Sequence, residues 1–385
     1  MKTSLWIYLV FFIFLSMGIS IPIYAKEDNT QNSDIESTTL QELELGNIDR
    51  QLKELFPDNT IQFSQLVGDI ISGKVTLSLN LIIKILKYGV EGNVGEMKKI
   101  GISILLIGII ASLFSNFSKI FENHQIADIS FYFLYMLLML ILLLTFKNTM
   151  LIALETIENA VLFLKILVPT FFTIVGLTSA SMTAMVFYQF MFVIIVVVES
   201  ILSAVLIPAT SGCVFLSLIN GLGDEERLTP LIELIQKGIQ GSLKLIMGCV
   251  GGIGFFQSMI TPVIDGVKTA AIQKTISAIP GIGGVADSVT EVVLGSTILI
   301  KNSVGLAFVI LLLTICIIPM IRMACVSVML KVSAALIGIV TDKRMTASAN
   351  QVGDGTMLLL RIVATAIALF VITIAIVISA TNRGM

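Results

Sequence analysis

The amino-acid sequence predicts an all-α fold, a polytopic transmembrane helical bundle of about eight spans behind a signal peptide, with interfacial amphipathic helices. Two observations lead there. Hydrophobic residues make up 56% of the 385 and charged residues only 13%, with a mean hydropathy of +0.98. A soluble domain carries roughly 25% charge to cover its surface, so most of this chain meets something other than water. The second observation is a series of apolar runs near the length of roughly 20 residues that crosses a hydrocarbon core as helix.

The amino terminus opens the case. Lys2 gives a short positive region, residues 5–19 are apolar, Ser20-Ile21-Pro22 breaks the run, and Ala25 precedes a polar stretch. That order describes a secretory signal peptide over residues 1–25, with an uncleaved anchor helix as the rival. Residues 26–60 are polar and acidic, with Glu27, Asp28, Asp34, Glu36, Glu42, Glu44, Asp49, Glu54 and Asp58 outweighing Lys26, Arg50 and Lys53. Too few apolar residues are present to offset the entropy of ordering, which predicts an exported, flexible segment. Across 61–99, Leu66, Ile70 and Ile71, then Leu79, Ile82, Ile83 and Leu86, recur at helical spacing. They predict an amphipathic helical region on the membrane surface or against the bundle, although Val75, Leu77, Leu79 and Leu81 also alternate like a strand.

Residues 100–385 form the multi-span membrane domain. Residues 100–117 and 129–146 are the first two predicted spans, and 151–164 an interfacial helix with Glu155 and Glu158 off its apolar face. Residues 166–180 and 184–207 follow, Pro208 ends the latter, and 209–222 is a short fifth run. An amphipathic helix from Leu228 leads to 245–264; then come 304–321 and 358–379, with 324–340 broken by Lys331. A cleaved signal puts Lys119, Arg227, Lys237, Lys244, Arg322, Lys331, Lys343, Arg344 and Arg361 in inner loops. Lys147, Lys165, Lys268, Lys274, Lys301 and Arg383 then fall outside, so the bias has the sign of the positive-inside rule. Lys84, Lys87, Lys98 and Lys99 oppose it, and the signal peptide decides.

Several function classes are excluded by what is missing. A net charge of −2 gives no polyelectrolyte character, so no nucleic acid partner is expected. Cys213, Cys249, Cys316 and Cys325 all lie in apolar runs without metal-ligand or redox spacing. His124 is the single histidine, so neither a zinc site of paired histidines nor a Ser/His relay can assemble, and no phosphate-binding loop pattern occurs. Gly221-Leu222-Gly223-Asp224 matches the pattern of intramembrane aspartyl proteases, but those need a second aspartate within a span, and none is predicted. The glycines read better as a helix stop. The chain is expected to be no enzyme and to need no cofactor.

Two regions carry candidate pathway or assembly residues. Glu199 stands in Val196-Val197-Val198-Glu199-Ser200, near the middle of a span. A carboxyl there faces the bundle interior or water, either as an ion, proton or substrate contact or as a neutral, hydrogen-bonded tie between helices. The stretch 261–305 sets prolines and glycines beside charges: Asp265, Pro280, Gly281, Gly283, Gly284, Asp287 and Lys301. It reads as broken or re-entrant backbone, or as an extramembrane loop holding one amphipathic helix.

These same pieces carry a resemblance. Gly221-Leu222 with Glu226-Arg227, Asp265-Gly266-Val267 and Ile279-Pro280-Gly281-Ile282-Gly283-Gly284 begin it. Gly295-Ser296, residues 299–305, Pro319, Ala334-Ala335 and Thr341-Asp342-Lys343-Arg344 continue it. From about residue 100 onward the chain resembles the stage III sporulation protein AE family of endospore-forming Firmicutes, most specifically across 219–344. The resemblance implies a role in endospore formation, in the mother-cell membrane surrounding the engulfed forespore. It implies an assembly with the other stage III A sporulation proteins, among them a cytosolic ATPase and ring-forming subunits, acting as a channel or secretion-like conduit between mother cell and forespore. It further implies an Oxa1-type membrane insertase as a partner, and it supplies no catalytic residues. The alternative is an autonomous secondary transporter, with Glu199 and the Pro280 to Gly284 break forming a midplane site.

Overall fold

The computed structural model describes residues 45–55, 62–72, 94–120, 124–178, 182–223, 227–276, 283–339 and 343–382, and among these every regular element is helical. The signal peptide and the possible strand near 75–81 lie outside the described residues. The chain divides into two units, Met1–Thr76 and Leu77–Met385.

The first unit holds α1 (Leu45–Leu55) and α2 (Phe63–Ile71), packed together. Helix α1 lies in the segment expected to be flexible, and one of its side chains caps the next helix. The Asp49 carboxylate accepts the Phe63 amide at 2.5 Å, the Ser64 amide at 3.4 Å and the Ser64 hydroxyl. Those amides are orphan donors at the start of α2, where a negative charge is favoured. Leu52, Phe63 and Val67 are buried. A count of charges treats Asp49 as solvated, whereas here it joins two helices.

The second unit comprises α3 (Val94–Ile120), α4 (His124–Thr178), α5 (Met182–Ile201), a π-helical turn (Leu202–Leu206), α6 (Ile207–Asn220), α7 (Thr229–Ile276), α8 (Gly283–Ile337) and α9 (Lys343–Asn382). Among the described residues four stretches are long and apolar enough to cross a membrane: Phe131–Ile166, Phe192–Asn220, Asn302–Ile337 and Lys343–Ile376. The last is 61% buried within the protein, against 28–39% for the other three, which makes α9 the central helix. It packs against α4, α5, α6, α7 and α8. Outside, α3 and α4 show Ile102, Leu106, Leu113, Phe133, Met136, Leu140 and Leu144, an apolar exterior suited to lipid.

The helices are longer and fewer than the apolar runs. Runs 129–146 and 151–164, and the run from 166 as far as Thr178, belong to one 55-residue helix, α4, about 82 Å long, so the expected interfacial helix is no separate element. Pro208 was expected to end a span, yet the chain passes it helically. The Ile207 amide bonds back to the Leu202 carbonyl, a π-type turn that shifts the register just before the proline, where the missing N–H and ring clash would otherwise kink the helix. Run 304–321 and the run from 324 as far as Ile337 likewise merge into α8, with Pro319 inside. Arg322, Lys331 and Arg361, expected in inner loops, and Lys147 and Lys165, expected in outer ones, all sit within helices.

Candidate functional site

Helix α9 is joined to its neighbours by a series of polar contacts along its first half. Tyr135 of α4 is fully buried, and its hydroxyl donates to the Leu218 carbonyl of α6 at 2.6 Å. Its one proton being used there, Ser348 of α9 donates to the Tyr135 oxygen at 2.7 Å. Three helices thus meet at one phenol, in surroundings where an unmet hydroxyl or carbonyl would be costly. Gly221, just past α6, faces the same spot, because a Cβ there would collide with the Tyr135 hydroxyl and Ser348 Oγ. Its φ of −74° is ordinary, so the glycine serves close approach rather than the left-handed helix stop its position implies, although α6 does end at Asn220. Asn220 then bridges onward, its Oδ1 accepting the Leu228 amide at 2.9 Å and its Nδ2 donating to Thr229 at 3.0 Å.

Further along α9, Gly353 and Gly355 let neighbours touch the backbone. The Ser327 hydroxyl of α8 donates to the Gly353 carbonyl at 2.9 Å, and a Cβ at Gly353 would lie 3.0 Å from Lys331 Cγ. A Cβ at Gly355 would overlap Val214 of α6, with Phe146 of α4 next to it. Between the two glycines, Asp354 pairs with Lys331 at 2.6 Å, joining α9 to α8 inside two candidate spans. The side chains remain 54% and 40% exposed respectively, so this pair stands at the edge of the bundle. At the start of α9 the Arg344 guanidinium lies 4.0 Å from the Phe131 ring centroid, and Phe131 in turn stacks near Tyr135.

The expected candidate residues that are described fall on α5, α7 and α8. Glu199 is half-buried on α5; its backbone carbonyl accepts the Ser203 hydroxyl at 2.8 Å, but its carboxyl has no partner among the described residues. Among the described residues, then, it ties no second helix to α5. Asp265 lies within α7, Gly283, Gly284 and Asp287 at the start of α8, and Lys301 further along α8. The stretch expected to be broken or looped is thus helical up to Ile276 and again from Gly283, while Pro280 and Gly281 lie outside the described residues. Asp224 of the protease-like motif also lies outside them. Among the described residues no cluster of three or more His, Cys, Asp or Glu is placed to hold a metal ion.

Sequence reasoning missed Tyr135, Ser348, Lys331 and Asp354. A signal existed for the pair: Lys331 and Asp354 stand on either side of the turn at Gly338, as opposite positions of a helical hairpin do.

A helical bundle with an apolar exterior, several long apolar helices and charges held within them defines a class, the α-helical integral membrane proteins. Within that class, the model of the family described as stage III sporulation protein AE matches residues 61–381, and the chain belongs to this family. A relative, the stage III sporulation protein AE of Bacillus subtilis (strain 168), is 20% identical over 285 residues, covering 74% of this chain and 71% of the relative. No solved structure matches.

Proposed function

We propose that the chain is the membrane subunit of a sporulation channel or secretion-like complex linking mother cell and forespore, and forms its permease-like core. Family membership gives the role in sporulation. The observation that carries the conduit reading is charge at span depth in an otherwise apolar bundle. Glu199 lies in one candidate span and Arg361 in another, and Lys331 pairs with Asp354 across two. Such groups are rare within membrane helices, face interior or water, and mark pathways or partners.

On this reading the chain performs no chemistry itself. It sits as a multi-pass protein in the mother-cell membrane around the forespore, with a cleaved signal and the acidic segment exported. Energy comes from the cytosolic ATPase of the complex, the ring-forming subunits extend the passage, and an Oxa1-type insertase associates with the membrane part. The test is affinity purification of the tagged full chain from membranes of sporulating cells. The expected result is co-purification of the ATPase and ring-forming subunits, and loss of spores on deletion. Recovery of the chain alone, with solute transport by the isolated protein in proteoliposomes, would replace this reading with an autonomous transporter.

A further inference from the structure

Helix α4 changes the character of its outer face halfway along. Up to Leu144 the exposed residues are apolar, including Phe133, Met136, Leu140 and Leu144. Beyond Phe146 the exposed face carries four charged residues, Lys147, Glu155, Glu158 and Lys165, together with Asn148 and one apolar residue, Leu151. At 3.6 residues per turn these four fall within a sector of about 80°. Ala153, Thr156, Ile157, Ala160, Phe163 and Leu164 on the other side are buried. Among the described residues none of the four charges forms an ion pair, so they do not neutralise one another within the chain.

The depth of this charged face follows from the neighbouring helices. Ser211 of α6 contacts Met150 of α4 at 3.0 Å, one turn beyond the level where Val214, Phe146 and Gly355 meet. With Tyr135 bonded to Leu218, these contacts make α4 antiparallel to α5 and α6. From the Ser211–Met150 contact, Glu158 is about 12 Å on along α4, and Ser203 a similar distance back. The charged face of α4 therefore shares its level with Val193, Val197, Ile201 and Val205, which α5 and the π-helical turn expose to the outside. One slab of the bundle is mainly apolar on its α5 side, where Ser200 is exposed and Glu199 half-buried, and mainly charged on its α4 side, where Leu151 is the apolar exception. Lipid suits the first and not the second.

We propose that the Lys147, Glu155, Glu158 and Lys165 face of α4 lines a water-filled passage at membrane depth, as one wall of the conduit whose existence rests on the function proposed above. Because the face points away from the bundle's own core, neighbouring subunits supply the opposite wall. Two anions between two cations leave the wall without net charge, so it admits hydrated polar solutes of either sign.

The test uses the full chain in native membranes, with Cys213, Cys249, Cys316 and Cys325 replaced by Ala. Single cysteines are placed by Glu155→Cys, Glu158→Cys, Val197→Cys and Ile201→Cys, and a membrane-impermeant cationic methanethiosulfonate is added. The α4 positions are expected to react at least about tenfold faster than the α5 positions, because an apolar setting raises a thiol's pKa and suppresses the reactive thiolate. Uniformly slow reaction at all four overturns the proposal, since the α4 face is then covered by lipid or protein. Uniformly fast reaction also overturns it, since the slab then lies outside the bilayer. If the cysteine-free chain fails to accumulate, the buried Cys213 and Cys316 are kept and only Cys249 and Cys325 replaced. The labelling ratio is read whether or not other subunits co-purify, so failure here is separate from failure of the complex.

Discussion

At the scale of single residues the bundle depends on a few polar groups in apolar surroundings. Tyr135 is the clearest. Tyr135→Phe removes the donor to the Leu218 carbonyl and the acceptor for Ser348, and leaves both partners buried without a bond, at a cost of about 1–3 kcal/mol. Thermal unfolding of the detergent-solubilised protein should show a lower midpoint. Ser348→Ala in the Tyr135→Phe background should cost less than it does alone, because its bond is already lost. In the first unit, Asp49→Ala should destabilise the α1–α2 pair by about 0.5–2 kcal/mol, as loss of a helix cap does. Loss of circular dichroism amplitude on heating measures it. Glu199 was visible as a charge within a span because a carboxyl in a run of valines stands out against its neighbours. Tyr135 and Ser348 were not, because tyrosine and serine are common in membrane helices and only their meeting, 213 positions apart in the chain, gives them a role. Asp49 was misjudged for a related reason, since an aspartate in an acidic stretch gives no sign of which amide it will cap.

Among elements, α9 shows how backbone approach is arranged. Gly355 admits Val214 against the helix, so Gly355→Ala forces a clash and should cost about 1–3 kcal/mol. Val214→Ala removes the opposing methyl groups, and the double variant should recover part of the loss. Equal unfolding midpoints for Gly355→Ala with and without Val214→Ala would place the strain elsewhere. The first half of α9 was left out of the predicted spans because Asn350, Gln351, Gly353, Asp354 and Gly355 depress its hydropathy. Its helix forms because α4, α6 and α8 bury Gly353 and Gly355, and α8 bonds the Gly353 carbonyl and pairs with Asp354, contacts that no local window contains. The merging of runs into α4 and α8 has a similar origin. Hydropathy falls at Lys147 and Lys331, but neither residue breaks a helix, since lysine is a good helix former. Pro208 does oppose a helix, and the π-helical turn before it accommodates what sequence periodicity read as an end.

For the whole molecule, the fold class was legible because it rests on totals. Charge too sparse for a soluble surface, and runs long enough to span, require helices whose backbone bonds are internal. Family membership was legible from glycines, prolines and charges whose spacing packing does not dictate. The joining of apolar runs into longer helices was not, since it depends on which helix is surrounded by the others. With α9 at the centre and apolar exteriors on α3, α4 and α5, the bundle belongs in lipid, and everything proposed for the conduit presupposes that it is there. Alkaline carbonate extraction of membranes from sporulating cells tests this most directly. The full chain should remain in the membrane pellet and enter solution only with detergent; its release into the supernatant by alkali alone would contradict the account.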